Sequence, residues 1–523
     1  CKRSLQQWRL AHRQPDSPAR QASMVCCSDD PPKRVVGENA GSYSCTDLLF
    51  ALLFILNLVP LVILFAEFKA ENDISDRLNS TFGYIAREEF DNDLNMVGRA
   101  GGYALLGAVP LVVVWLAMCY IVPTLLIIST FLLMITMSVA IAISLFANPD
   151  GWDVGETEAT IIAAALLLFA LLNVLWIWCI RKQIAFTATV LKSVSAILLR
   201  MPELLLIQLG MSGAALGVMA LWGGSYIELL ALMDEYDHEH DTNAAAVGYW
   251  AAGNIWALIS LFWVQFTLVN IAVVTACATV GAWYFSPSAF GDGCFGCRPP
   301  VWWGLLRALT FNFGSIAFGS LVLAIMRTII VVVQYLAKKA ESQGGMVAKC
   351  ACCCLICCLK CIEGTLNWLT EYAFVYVAIY GVNFCSAGQK VFSLLGKAGA
   401  QAVIQTSLIT PLLWLSSALG LAVGCLCGWG AHQQVGSDGL SDDARHLQLA
   451  VALVSGGAVG YLVMTIGVNV VIGAGCKTLL VCFTEEPEHL KDSDPALYEA
   501  FSGKMPQDKG TTSSTSAVGV VVP

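Results

Sequence analysis

About ten hydrophobic stretches, each long enough to cross a bilayer, run between Leu48 and Ala474. A spanning helix needs roughly 20 mostly apolar residues. Residues 160–180, 401–428 and 449–474 meet that length easily. A water-soluble domain has no means of burying so many such runs. The sequence therefore predicts an all-α fold, a polytopic integral membrane bundle of about ten transmembrane helices. Composition agrees: 57% of residues are hydrophobic and 13% charged, against about 25% charged in soluble domains. The formal charge of −9 is concentrated in a few loops. With no basic patch interleaved with aromatics, no nucleic-acid partner is expected.

The spans read as 48–66, 103–121, 123–147, 160–180, 204–233, 250–284, 310–336, 366–384, 402–428 and 449–474. Pro110 and Pro123 mark a kink and a turn. Residues 1–44 form a polar tail, 45–484 the membrane domain and 485–523 a second tail, its last part rich in Ser, Thr, Gly and Val. The first residue is Cys1 rather than Met, so the natural start is expected to lie upstream. Residues 1–44 contain no hydrophobic signal core, and no cleavable signal peptide is expected. Orientation follows the basic residues. Lys2, Arg3, Arg9, Arg13, Arg20, Lys33 and Arg34 assign the first tail to the cytosol, and Arg181, Lys182, Lys192 and Arg200 do the same for the segment after span four. Loops 67–102, 148–158 and 234–247 are acidic and fall on the outer side, where Asn79-Ser80-Thr81 is an N-glycosylation sequon. Segment 337–365 conflicts. Alternation places it outside, yet it carries Lys338, Lys339, Lys349 and Lys360. Either span seven is re-entrant, or span eight does not fully cross, or this segment breaks the charge rule. Residues 181–203 alternate apolar and basic positions at helical spacing, which suggests an interfacial helix.

Span six carries the best pattern. Tyr249, Trp256, Trp263 and Asn270 recur every seven residues and share one helix face. Asn254 and Gln265 lie nearby. An aromatic stripe with amides suits an organic cation, because ring faces attract quaternary ammonium groups. Packing and an interfacial belt explain the same aromatics. Span eight repeats the theme with Tyr372, Tyr376, Tyr380 and Asn383, and with Glu371 at one end. A carboxylate at depth can pair with a cation or carry a proton; a solvated helix end is the alternative. Arg327 interrupts the apolar run of span seven, either as a functional charge or as a snorkelling side chain. Small residues at four-residue spacing, Gly213/Gly217, Gly420/Gly424/Gly428 and Gly456/Gly460, suit close helix contact.

Seven of the 21 cysteines lie between Cys350 and Cys361. CxxC pairs at Cys294/Cys297, Cys354/Cys357 and Cys358/Cys361 would suit zinc, but no His is near the large cluster. Reduced or palmitoylated thiols fit a cytosolic location, and disulfides an outer one. The acidic run from Asp234 to Asp241 is either a divalent-cation loop or a solvated surface. No Walker, GxGxxG-to-helix, HExxH or GxSxG pattern appears, so neither enzyme chemistry nor a cofactor or metal site is expected.

Three ordered segments carry a resemblance. NFGSIAFGSLVLAI at 312–325 resembles the GSLAFGSLI segment of the choline transporter-like solute carriers. AIYGVNFCSAGQKVFSLL at 378–395 is similar to their AIYGxNFCxSA segment, and KTLLVCF at 477–483 to their DTLFLCF ending. The resemblance spans about residues 45–500. It implies a ten-span carrier with both termini cytosolic, a glycosylated first outer loop, and choline or a related amino alcohol such as ethanolamine as substrate. It further implies sodium-independent carriage, facilitated or by proton exchange. The chain departs from the family pattern at Asn312, where many members have His. It departs again at Ile330, where many have Arg, and at Gln334, where Glu is frequent. The expectation is a multi-pass carrier in the plasma membrane or an organelle membrane, with membrane lipid as its other partner. A non-transporting scaffold or lipid-organising protein is the alternative.

Overall fold

The computed structural model describes residues 45–70, 87–152, 155–239, 244–286, 299–341, 346–434 and 442–503. Asn79, the tail 1–44, Cys294/Cys297 and the side chains of 234–241 lie outside the described residues. The membrane bundle is built from α1 (Leu48–Ala70), α2 (Arg87–Ile121), α3 (Pro123–Ala147), α4 (Glu156–Arg200), α5 (Pro202–Glu239) and α6 (Ala244–Phe285). The short α7 (Pro299–Leu309) precedes α8 (Phe313–Glu341), α9 (Met346–Tyr380), α10 (Phe384–Gln434) and α11 (Asp442–Met464). A π-helical turn, Thr465–Asn469, joins α11 to α12 (Val470–Glu485), and α13 (Glu488–Ser493) and α14 (Pro495–Ser502) follow. Among the described residues there is no strand, and ten helical stretches are long and apolar enough to cross a membrane. The expected all-α bundle is what the chain forms.

Exposed apolar side chains cover the outside. Leu106, Ile161, Trp414 and Val454 are each at least 65% accessible, a surface that only lipid accommodates. The interior is centred on α6, the second half of α9 and α12. Tyr372 through Ile379 on α9 are all buried. The first half of α9 differs, with Cys353, Cys354, Leu355, Cys357, Cys358, Lys360 and Cys361 exposed.

Hydrogen bonds define the two ends of the bundle. At one, here the Asp47 end, Thr46, Phe311, Ser315 and Phe384 are bonded together, and the Arg307 guanidinium donates to the Ala378 carbonyl at 2.7 Å. At the far end the Tyr103 hydroxyl donates to Gln434 Oε1 at 2.7 Å. Helices α8 and α9 are both full length and pack on each other. Both are among the ten stretches long and apolar enough to cross a membrane.

Two local readings change. Residues 181–200 do not form a separate interfacial helix; they continue α4 without a break. At 1.5 Å per residue the 45 residues of α4 reach about 68 Å, far beyond a hydrocarbon core of about 30 Å. Its apolar face finds protein instead of lipid: Phe186 meets Phe501 edge-on at 4.9 Å, and Ser193 Oγ donates to Asp494 at 3.3 Å. The second change concerns glycine. Gly213 and Gly217 face open space. Gly420, Gly424 and Gly428 instead lie directly against the backbone of Gly460, Gly456 and Ala452, a contact any side chain would block.

Candidate functional site

The second half of α9 brings charge to membrane depth. Glu363, Asn367 and Glu371 follow one another at four-residue steps, about 6 Å apart along one helix face. Each carboxylate has a base on a neighbouring helix. Arg327 Nη1 on α8 donates to both oxygens of Glu363, at 2.9 and 3.1 Å. Lys477 Nζ on α12 donates to Glu371 Oε2. A lone charge inside an apolar span would cost several kcal/mol, and Lys477 answers Glu371 there; the Arg327 side chain is 45% accessible and that of Glu363 14%. Glu371 is 44% accessible while Lys477 is 15% accessible, so the carboxylate is the reachable partner.

Aromatic and amide groups surround this pair. Trp368, one turn before Tyr372 on α9, lies against its ring at 4.9 Å. The Trp368 indole N–H points to Thr406 Oγ1 at 3.4 Å, and the Tyr372 hydroxyl faces the same threonine without a well-formed hydrogen bond. Gln405 Nε2 donates to the Cys476 carbonyl at 3.0 Å. The other amide atom, Gln405 Oε1, and the neighbouring Gln401 Nε2 are buried without a hydrogen-bond partner. Such orphaned groups are costly, and Gln405 lies beside Cys476, the neighbour of Lys477. An accessible carboxylate beside the half-buried Trp368 ring, with buried Tyr372 and Gln405 packed behind them, suits a small cation.

The other sequence candidates lie on other helix faces. Trp263 is buried; its indole N–H donates to the Ala317 carbonyl at 2.9 Å and its ring meets Phe54 edge-on. Asn270 Nδ2 donates to Ser320 Oγ at 2.9 Å. Trp256 is half-buried in the same α1–α5–α6 cluster, and the side chain of Tyr249 lies outside the described residues. Tyr376 and Tyr380 stack on each other at 5.8 Å, and the Tyr376 hydroxyl donates to Glu485 at 3.0 Å. Asn383 caps α10, its Oδ1 accepting from the Ser386 N–H at 2.8 Å. The α6 face thus packs toward α1 and α8, while the α9 tyrosines turn toward α10 and α12. Among the described residues no cluster of His, Cys, Asp or Glu is arranged to hold a metal ion.

Glu363, Lys477, Gln401 and Gln405 were not singled out from the sequence. Hydropathy windows end where charge begins, so spans read as 366–384 and 449–474 stop just short of Glu363 and Lys477. The helices themselves continue through both.

Comparison with known sequences follows the same helices. The family described as plasma-membrane choline transporter matches residues 164–488. The chain belongs to this family. Protein PNS1 of Mycosarcoma maydis is 24% identical over 364 residues, covering 68% of this chain and 65% of that protein. Protein PNS1 of Yarrowia lipolytica is 24% identical over 358 residues, covering 65% and 59%. A CTL-like protein of Dictyostelium discoideum is 26% identical over 362 residues, covering 66% and 57%. The chain therefore spans less than two thirds of the length of these relatives.

Proposed function

We propose that this chain carries choline or a related amino alcohol such as ethanolamine across a membrane, without sodium, by facilitated or proton-exchange carriage. Membership of the plasma-membrane choline transporter family carries the reading. The arrangement around Glu371 gives it a chemistry. A trimethylammonium head binds against aromatic faces, worth about 0.5–1 kcal/mol each when exposed and about 2 or more when desolvated. Trp368 supplies the ring face, with Tyr372 packed behind it. Glu371 neutralises the charge, and the free amide groups of Gln401 and Gln405 take the hydroxyl. In the empty carrier Lys477 serves as the counter-ion of Glu371, so the site can move through the membrane without an isolated charge. The incoming cation competes with Lys477 for the carboxylate.

Orientation completes the reading. The Asp47 end, with Arg181, Lys182, Lys192 and Arg200 nearby on α4, is the cytosolic end, and both tails are cytosolic. The plasma membrane is the proposed location, with an organelle membrane as the alternative.

The test is uptake of labelled choline into proteoliposomes holding this protein alone. Saturable uptake that is lost in Glu371→Gln supports carriage through this site. Uptake indistinguishable from protein-free vesicles, by protein that is folded and correctly inserted, would favour the scaffold reading. Saturable uptake that survives Glu371→Gln would move the site elsewhere.

A further inference from the structure

Of the three family-like segments, 477–483 carries Lys477 of the Glu371 pair, while 312–325 and 378–395 lead elsewhere. These two converge on one side chain, Asp47, at the start of α8, the end of α9 and the start of α10. Its Oδ2 accepts from Ser315 Oγ on α8 at 2.6 Å and from the Phe384 N–H that opens α10 at 2.9 Å. The preceding residue is tied as well: the Thr46 N–H donates to the Phe311 carbonyl at 3.1 Å, and the Thr46 and Ser315 hydroxyls are 2.8 Å apart. Asp47 holds φ at 51°, a left-handed conformation that Asp tolerates better than most residues. Gly314 permits the approach, since a Cβ there would overlap the backbone of Thr46 and Asp47. Beneath this clasp the rings of Phe50 and Phe318 stack at 4.0 Å, and Phe384 meets Phe318 at 5.3 Å.

The two ends of the bundle differ. The Asp47 end is sealed by charge-assisted hydrogen bonds over stacked rings, and α9 beside it is fully buried. Toward the far end the first half of α9 is largely exposed. A carrier that releases substrate at the Asp47 end has to open it. Directed polar bonds to a single carboxylate are what α1, α8 and α10 would have to exchange for water as they part.

We propose that Asp47 is the latch of the cytosolic gate: its carboxylate holds the starts of α1, α8 and α10 together in the shut state and releases them when the carrier opens inward. The gate reading rests on the transport reading; the latch itself is testable without transport. Asp47→Asn removes the charge and turns an NH2 group toward two donors. Ser320, buried one helical turn and more beyond Ser315 on α8, reports opening once replaced isosterically by Ser320→Cys. A membrane-impermeant thiol reagent is applied from the Asp47 side, and labelling is read by mass spectrometry on the peptide carrying position 320. Adding Asp47→Asn is expected to raise the labelling rate about tenfold, as charged hydrogen bonds become neutral or lost. An unchanged rate in folded protein would overturn the latch.

A second variant covers failure of that one to fold. Thr46→Cys with Ser315→Cys, and Cys45→Ser to remove the adjacent thiol, keeps Asp47 and permits an oxidative cross-link across the clasp. Cross-linked protein is expected to bind choline from the far side but not to carry it, with carriage restored on reduction. Normal carriage by cross-linked protein would overturn the gate. Should the protein carry no choline in any form while Asp47→Asn still raises labelling, the transport reading falls and the latch stands.

Discussion

At the scale of single residues the chain separates rings that pack from rings free to serve a ligand. Trp263 and Trp368 are both tryptophans at membrane depth. Trp263 is buried against Phe54 and has its indole N–H committed to a backbone carbonyl. Trp368 is half-buried, beside an accessible carboxylate. Trp263→Leu is therefore expected to cost about 2 kcal/mol of stability, seen as lower folded yield and melting temperature, with choline affinity unchanged in the molecules that fold. Trp368→Leu is expected to weaken choline affinity roughly tenfold, or about 1.4 kcal/mol, and Trp368→Phe less, because Phe keeps the ring quadrupole. Equal affinities in wild type and Trp368→Leu would remove this ring from the site. The ion pairs give a second residue-scale prediction. Glu371→Lys or Lys477→Glu alone places two like charges together at depth and is expected to reduce folded yield strongly. The double exchange restores a pair and should recover yield but not choline binding, since the accessible partner is then a cation. Recovery of affinity as well would show that the pair is structural only. Arg327→Leu strands Glu363, and adding Glu363→Gln is expected to rescue its yield.

At the scale of elements, close packing of α10 on α11 depends on hydrogen atoms in place of side chains. Gly424 and Gly456 face each other backbone to backbone. Gly424→Ala or Gly456→Ala is expected to lower stability by about 1–3 kcal/mol through overpacking, measured by thermal unfolding in detergent. Gly213→Ala, into open space, should leave the melting temperature within error; a loss there equal to Gly424→Ala would contradict this packing. The small-residue spacing was visible in the sequence for both sets, but spacing does not say which face meets a neighbour. The same limit explains α4. The period of residues 181–200 showed an apolar face, and only the fold shows that α14 covers it rather than lipid. Below that interface span ten changes its winding. The π turn Thr465–Asn469 faces the Pro411 region of α10, with Asn469 Nδ2 donating to the Leu413 carbonyl at 2.8 Å. Helix breaks of this kind cluster at functional sites, and hydropathy averaging over the span concealed it.

At the scale of the whole molecule, number and order of spans were legible because a bilayer imposes length and apolarity on each segment separately. What the sequence withheld is relational. The bases that answer Glu363 and Glu371 lie on other helices, and two of the three family-like segments meet Asp47 only in the folded bundle. Sidedness ties these together, and one measurement decides it. The far end joins α1 to α2 through the segment holding Asn79, and it also carries α8 into α9 through residues rich in lysine. Those lysines, read alone, would turn the far end toward the cytosol. The N-terminal basic tail and Arg181, Lys182, Lys192 and Arg200 argue the reverse, and they outnumber the lysines. Made in a eukaryotic secretory membrane, the protein should therefore be glycosylated at Asn79, with a mobility shift removed by endoglycosidase and absent in Asn79→Gln. Epitope tags at residue 1 and residue 523 should be cut by protease added to sealed vesicles whose cytosolic face is outward. Protected tags together with an unglycosylated Asn79 would invert the whole bundle and place the Asp47 latch on the outer face. An unglycosylated Asn79 with accessible tags would leave the orientation standing and show only that the sequon is not used.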